Sequence, residues 1–502
     1  MKNRIVNILC LATLGVFFLI MFQGKTRFFP IWELEGVTNE VKRPKLTFDE
    51  FYNGQYQTHL EEYLRNNIGF REIMIRLFNQ YLWDFYHKSY SNEVAIGKDN
   101  WLYFNFNVNE YYGKEMYRWV SKDDAVERFT REIRILNKLR NVLKSYGIEF
   151  MIFTSPDKAD LYPQYLPERE FDTTTIHAYN FYREEFARYD FPYIDMNSWF
   201  KDVQDTLDYP AIPQASAHWV FPSVYAADSL FRFMANEKGV TMPQIKIGGK
   251  IKNSKETEHV IRDLEFGLNL LRPIKLSDYE YYEREINILA DSNTVKMNAI
   301  FVGNSFFRAF NQYLPLNEIF NEVHYWFYNM TDFYGPNLHK STPIGETDRL
   351  YEIINSDYIV WFTDNAQMYK ISYGFAEDAL IKLCVSDSLW NAEVYRYADS
   401  LHISQWDATL MLQNNPELIK GLDTDNPTIR NTKAINEARN LYQARHSSEA
   451  MLYEYKVEKM IEEIKSKPDL MEMIRQKAKD NNVTLEEMIE RDARWIVDHQ
   501  EN

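Results

Sequence analysis

Ala299-Ile300-Phe301-Val302-Gly303-Asn304-Ser305-Phe306-Phe307 decides how the rest of the chain is read. The apolar run predicts a buried strand, and Gly-Asn-Ser directly after it puts a small turn and a hydroxyl at the strand's carboxyl end. Open α/β sheets hold their chemistry at that end. A serine so placed stands clear of the sheet, with backbone N–H groups of the following helix start able to face a developing oxyanion. The same three residues also serve many strands simply as a turn. A second piece lies upstream at Ser216-Ala217-His218-Trp219, followed by a helical pattern from Pro222 to about Ala235. A histidine just before a helix is placed to act as general base to a serine from another strand, or to pack on that helix.

The 502 residues allow two or three domains, and 45% hydrophobic residues supply a sizeable core. Net charge is −16, from 57 Lys and Arg against 73 Asp and Glu, without a basic stripe interleaved with aromatics, which argues against nucleic acid as a partner. The 35 Tyr and 33 Phe suit either an aromatic core or a surface that stacks on sugar rings. Of the two cysteines, Cys10 lies in an N-terminal apolar run and Cys384 far from it, so no intramolecular disulfide is expected. From Ile5 to Phe22 the chain carries no charge, a length just sufficient to cross a bilayer. The residues after it, Gln23-Gly24-Lys25-Thr26-Arg27, lack a small-x-small cleavage pattern, and Asn7-Ile8-Leu9 before Cys10 fit a lipoprotein site poorly. A retained signal anchor over residues 1–27 is the expectation. Lys25 and Arg27 balance Lys2 and Arg4, so charge alone leaves its orientation open.

A lead-in follows over residues 28–120. Apolar positions recur at helical spacing from Asp49 to Tyr86, with a break at Gly69, and Ile96 to Tyr103 reads as a β-hairpin. Ser121 is expected to cap a long helix that Gly147 stops. Residues 121–400 then alternate strand and helix, with strands at Ile148–Thr154, Tyr193–Met196, Ala299–Val302, Val323–Phe327 and Tyr358–Phe362. This pattern predicts an α/β fold: a mostly parallel sheet flanked by helices, interrupted by an insertion near residues 240–296. Residues 401–502 read as charged amphipathic helices forming a C-terminal extension, with a capping-box pattern at Thr484 and Glu487. No His, Cys, Asp or Glu cluster has metal-ligand spacing, so neither metal nor cofactor is expected.

In motif order the chain resembles the SGNH-hydrolase-like O-acetyltransferases of the alginate acetylation type (AlgJ and AlgX), over roughly Phe48 to Phe375. The marks are Gly54-Gln55-Tyr56-Gln57, Ile96-Gly97-Lys98 with Trp101-Leu102, Pro156-Asp157-Lys158 with Tyr162-Pro163 and Leu166-Pro167, then His218-Trp219 and Gly303-Asn304-Ser305-Phe306. The resemblance implies that Ser305 is a nucleophile that takes an acetyl group and passes it to a sugar hydroxyl, with His218 as its base. It further implies an oxyanion site made by the Ser305 N–H and a neighbouring loop, with Asn304 in its vicinity and Lys158 as a contact to substrate. Many family members carry Asp two residues before the histidine, where this chain has Ser216, and Asp in place of Asn304. Asp263 is the candidate substitute for the orienting acid. Implied partners are a polysaccharide acceptor and a multispanning membrane acyltransferase that delivers acetyl groups, with the main domain periplasmic on a single-pass inner-membrane anchor. Two other readings stay open on these residues: a non-catalytic glycan-binding or assembly scaffold with a degenerate triad, and a carbohydrate acetylesterase.

Overall fold

The computed structural model describes every residue except Met1, 36–40, 114–121, 173, 421, 423–431, 482 and 501–502. The expected cap Ser121 therefore lies outside the described residues. The helix it precedes runs Lys122–Ser145 with Asp123 and Asp124 in its first turn, and Gly147 follows at φ +79. The chain divides into two compact units: one of Met1–Asn137, Glu149–Gly345 and Tyr358–Phe375, the other of Lys138–Ile148, Glu346–Asp357 and Ala376–Asn502.

In the first unit, β1 (Val94–Ile96) and β2 (Leu102–Phe104) form the expected hairpin. The strands β3 (Glu149–Ser155), β4 (Tyr193–Asp195), β5 (Gln244–Ile251), β6 (Glu283–Leu289), β7 (Ala299–Gly303), β8 (Val323–Phe327), β9 (Thr331–Tyr334), β10 (Lys340–Pro343) and β11 (Tyr358–Asp364) follow in chain order. The main sheet has the order β10-β9-β8-β7-β11-β3-β4. Pairing is parallel from β8 through β4 and antiparallel only at the β8–β9–β10 edge. The sheet is thus mixed with a parallel centre. Every residue of β7 and β11 is buried, which is why both read as unbroken apolar runs without alternation. The order matters for chemistry: β7, β11 and β3 are neighbours, so the loops after Gly303, Asp364 and Ser155 leave the same edge side by side.

The segment near 240–296 forms a separate antiparallel ribbon of β5 and β6, with short helices Lys255–Val260 and Asp263–Gly267 between its strands. Leu264, Leu268 and Ile274 from it pack with Leu102, Ala215 and Ala217 in a satellite core. The lead-in forms helices Phe48–Tyr52, Gln55–Asn66 and Arg71–Tyr86, broken near Gly69 as expected and once more at Gly54, whose φ of +84 suits glycine. The apolar helix Lys2–Thr26 precedes them, and its Val6–Thr26 stretch is long and apolar enough to cross a membrane.

Among the described residues the second unit is helical from Ala376 onward, so its helices begin upstream of residue 401, where the C-terminal extension is expected to start. Its helices Ser448–Ser466, Pro468–Asn481 and Leu485–Gln500 share a core of Val457, Ile464, Ile474, Met488, Ile489 and Val497. The Thr484 hydroxyl accepts the Glu487 N–H at 3.1 Å, half of the expected capping box.

Candidate active site

The end of β7 is shaped by a close approach. A Cβ on Gly303 would lie 2.8 Å from the Phe362 carbonyl oxygen on β11, so only glycine lets the strands pair there. Asn304 follows in extended conformation, and its Oδ1 accepts the Phe306 N–H at 3.1 Å, which starts the 3-10 turn Ser305–Phe307. Asn304 Nδ2 donates to Asp364 Oδ2 at 2.7 Å, and the Tyr325 hydroxyl donates to the Asn304 carbonyl at 2.5 Å. These contacts lock the backbone around a half-buried Ser305.

His218 reaches Ser305 from the loop before helix Ser223–Lys238. Its Nε2 stands 2.8 Å from Ser305 Oγ, and its Nδ1 stands 2.6 Å from Asp263 Oδ2. A carboxylate can only accept, so Nδ1 carries the hydrogen and Nε2 is free to accept from the serine hydroxyl. Asp263 is held in turn: Oδ1 accepts the Ala217 N–H at 2.9 Å, and the N–H groups of Leu264 and Glu265 both donate to the Ala215 carbonyl. The Ser216 hydroxyl meets the His218 backbone instead, accepting its N–H at 3.0 Å and donating to its carbonyl at 3.1 Å. Trp219 braces the loop by donating to the Phe306 carbonyl at 2.8 Å.

Ser305, His218 and Asp263 thus form one hydrogen-bonded chain, with the acid coming from the insertion and not from position 216. Lys158 stands elsewhere than expected. It is 3% exposed, and its ammonium donates into a cage of backbone carbonyls from Leu102, Pro213, Gln214 and Ser216 at 2.6 to 2.9 Å, above the rings of Trp101 and Tyr103. A buried ammonium needs such acceptors, and here they belong to β2 and to the loop that leads into His218. Lys158 is therefore a strut under the site, out of a substrate's reach. Asn304 is likewise fully buried with both amide atoms engaged, so its side chain braces the turn and offers nothing to an oxyanion.

Three further residues at the site had no role assigned from the sequence, although Asp157 falls within the Pro156-Asp157-Lys158 mark. Tyr328, just past β8, lies beside Ser305 and Gln367, and burial raises its phenol pKa. It sits at φ +50, a left-handed conformation unusual for a tyrosine and found where a site demands it. Asp364, fully buried at the end of β11, is pushed up to about 6 by burial, opposed by the Gln367 and Ala366 N–H groups and by His218. Asp157, at the end of β3, is pushed up to about 8 by burial and by the nearby Asp364 and Asp160 carboxylates, while a hydrogen bond from Asn107 lowers it. Among the described residues no group of three His, Cys, Asp or Glu side chains is arranged to hold a metal ion.

Residues 94–209 match the family described as SGNH hydrolase-like domain, acetyltransferase AlgX. That stretch takes in the hairpin, β3, the Lys158 loop and β4, and ends before His218, Asp263 and Ser305. No curated protein matches the sequence. Among solved structures, the O-acetyltransferase domain of Pseudomonas putida AlgJ is similar at 14% identity and a TM-score of 0.37, over 55% of this chain and 92% of its own. Pseudomonas aeruginosa AlgX is similar at 13% identity and a TM-score of 0.34, over 57% and 67%. Bacillus cereus PatB1 is similar at 12% identity and a TM-score of 0.31, over 56% and 98%. Over residues 94–209, then, the chain is similar to the SGNH hydrolase-like domain family of the acetyltransferase AlgX.

Proposed function

We propose that this chain is a membrane-anchored O-acetyltransferase that moves an acetyl group to a polysaccharide hydroxyl through an acetyl-Ser305 intermediate. The observation that carries the reading is the Asp263–His218–Ser305 chain at the carboxyl edge of the central strands. His218 Nε2 takes the Ser305 proton as Oγ attacks the acetyl carbonyl, and Asp263 steadies the imidazolium that forms. The proton then goes to the departing donor group. In the second half, a sugar hydroxyl attacks the acetyl ester, gives its proton to His218, and Ser305 leaves with that proton. Tyr328, kept protonated by burial, supplies a donor for the oxyanion. The apolar helix anchors the chain in the inner membrane with the main domain periplasmic, and a multispanning acyltransferase delivers the acetyl group. An acid at His218 Nδ1 weighs against a scaffold with a degenerate triad, since Ser216 was the reason to expect one.

The test uses full-length protein in detergent and an activated acetyl ester, with and without added oligosaccharide. Wild type is expected to release acetate and, with acceptor present, to transfer the acetyl group. Ser305→Ala and His218→Ala are expected to reach background while melting as wild type. Equal activity in either variant overturns the serine mechanism, and indifference to every acceptor favours the esterase reading.

A further inference from the structure

Helix Arg71–Tyr86 wears its faces reversed. Its polar side chains point into the protein: Arg76 donates to the Glu33 carbonyl at 2.6 Å, Asn79 to the Leu268 carbonyl at 2.8 Å, and the buried Gln80 accepts the N–H groups of Leu271 and Arg272 at 3.1 and 3.0 Å. Five of its apolar side chains point outward, while Trp83 packs against the satellite core. Met74, Leu77, Phe78, Tyr81 and Phe85 are 41%, 53%, 49%, 47% and 74% exposed. Their spacing follows successive turns, so they form one continuous stripe along the helix. A helix bathed in water has the opposite arrangement, and a contiguous apolar stripe of this length marks a contact surface.

The apolar helix shows what covers it. Its end is clamped to the start of Arg71–Tyr86 by two glycines: a Cβ on Gly69 would fall 2.1 Å from the Ile20 carbonyl oxygen and 2.7 Å from the Gly24 nitrogen, and one on Gly24 would fall 2.7 Å from the Asn67 carbonyl oxygen. The buried Gln23 holds the chain beyond, donating to the Phe29 carbonyl at 2.8 Å and accepting the Phe29 N–H at 2.9 Å. Arg27 pairs with Glu72 at 3.3 Å. The stretch Val6–Thr26 has 21 residues. At a rise of about 1.5 Å per residue that is roughly the thickness of a bilayer's hydrocarbon core. A bilayer around it ends close to Thr26, and Gly24 near that end lies against Asn67 and Gly69, just before the reversed helix begins. Tyrosine on an outward face together with basic Lys25 and Arg27 beside it is the composition of a membrane–water interface.

We propose that the Met74–Phe85 face lies in the headgroup region of the bilayer that Val6–Thr26 spans, so that the protein grips one leaflet through a second, interfacial helix. The proposal rests on the anchored reading above for which membrane it meets. It also has a consequence for the site, because the inward face of this helix holds the 268–272 segment, which continues directly from the Asp263–Gly267 helix.

The test places full-length protein in phosphatidylethanolamine–phosphatidylglycerol vesicles, with lipids spin-labelled either shallow or deep. An environment-sensitive fluorophore goes on native Cys10, or, in a Cys10→Ser background, on Phe78→Cys, Phe85→Cys or the exposed reference Glu184→Cys; Cys384 is buried and stays. The expected result is a several-fold higher emission at positions 78 and 85 than at 184, quenched most by the shallow label, with Cys10 quenched most by the deep one. Water-like emission at both 78 and 85 alongside a deep Cys10 overturns the interfacial helix and leaves the anchor standing. Shielding at 78 and 85 with Cys10 in water keeps the surface contact and removes the anchor. Shielding that occurs only in native membranes, never in pure lipid, assigns the face to a protein partner and overturns the proposal.

Discussion

Asp263→Asn isolates the acid that comes from the insertion. The change keeps the side chain's size, and the asparagine Oδ1 can still accept the Ala217 N–H that Asp263 accepts at 2.9 Å. Its NH2 group then faces His218 Nδ1 across the present 2.6 Å contact. Two donors cannot share that line, so the imidazole proton moves to Nε2. There it meets Ser305 Oγ at 2.8 Å, and the lone pair that should take the serine proton is gone. The corresponding change in serine proteases lowers kcat about 10⁴-fold through this same tautomer error, or roughly 5.5 kcal/mol at about 1.4 kcal/mol per factor of ten. Asp364 also interacts with the His218 charge and survives the substitution, so the expected loss here is about 10³- to 10⁴-fold. The assay is kcat for acetate release from an activated acetyl ester, beside a thermal melt to confirm folding. Activity within about threefold of wild type, with Ser305→Ala and His218→Ala dead, would refute the role of Asp263, because a working base with the wrong tautomer is a contradiction.

Lys158→Met removes the donor from its carbonyl cage while keeping the aliphatic stem, and is expected to cost about 2–4 kcal/mol and several degrees of melting temperature; a melt unchanged from wild type would show that the ammonium is dispensable to the loop. Gly303→Ala forces β7 and β11 apart beside the nucleophile, at about 1–3 kcal/mol, and should lower kcat more than it lowers the melting temperature; the reverse ranking would place the strain away from Ser305. Asp157 keeps its proton to about pH 8 in the folded chain and loses it at about 4 when unfolded. The unfolded state therefore binds fewer protons between those values, and stability falls as pH rises through that window, by at most about 1.4 kcal/mol per pH unit. Asp157→Asn is expected to flatten the melting temperature between about pH 5 and about pH 8 relative to wild type; parallel curves for the two proteins would sink the assignment.

The parts of the fold that could be read in advance are those with local signals. The central strands β7, β8 and β11 are short apolar runs between turn residues, and Thr484 with Glu487 is a four-residue pattern whose hydrogen bond needs nothing from the rest of the chain. The antiparallel edge of β9 and β10 escaped notice because Thr331–Tyr334 and Lys340–Pro343 are half-exposed and carry no apolar run. The cage around Lys158 is illegible in the sequence for a related reason. A lysine after a strand looks solvated in sequence, and the carbonyls that bury it come from residues 102 and 213–216, which no spacing rule connects to it. Tyr328 left one faint trace, a Tyr-Asn pair directly after an aromatic strand. That pair takes up the left-handed turn at φ +50 and +53.

Asp263 could be named from the sequence but not placed, and the way it is placed explains why Ser216 is tolerated. The Ser216 hydroxyl bonds both backbone groups of His218, and its carbonyl accepts from Lys158, so position 216 is spent on holding the loop's shape. An aspartate there would bring a charge into a site with 0% exposure, already surrounded by groups with other partners. The acid arrives instead through tertiary packing, with Leu264, Leu268 and Ile274 seated against Ala215 and Ala217. Because Asn79 and Gln80 grip residues 268–272 from the lead-in helix, the acid's position depends on two segments that are remote in sequence from both the histidine and the serine. An acid two residues from the histidine is fixed by a single turn of loop. Here the same hydrogen bond to Nδ1 is set by how the insertion seats on the N-terminal helices, so disturbing those helices is a route to disturbing the imidazole without touching the loop that carries it.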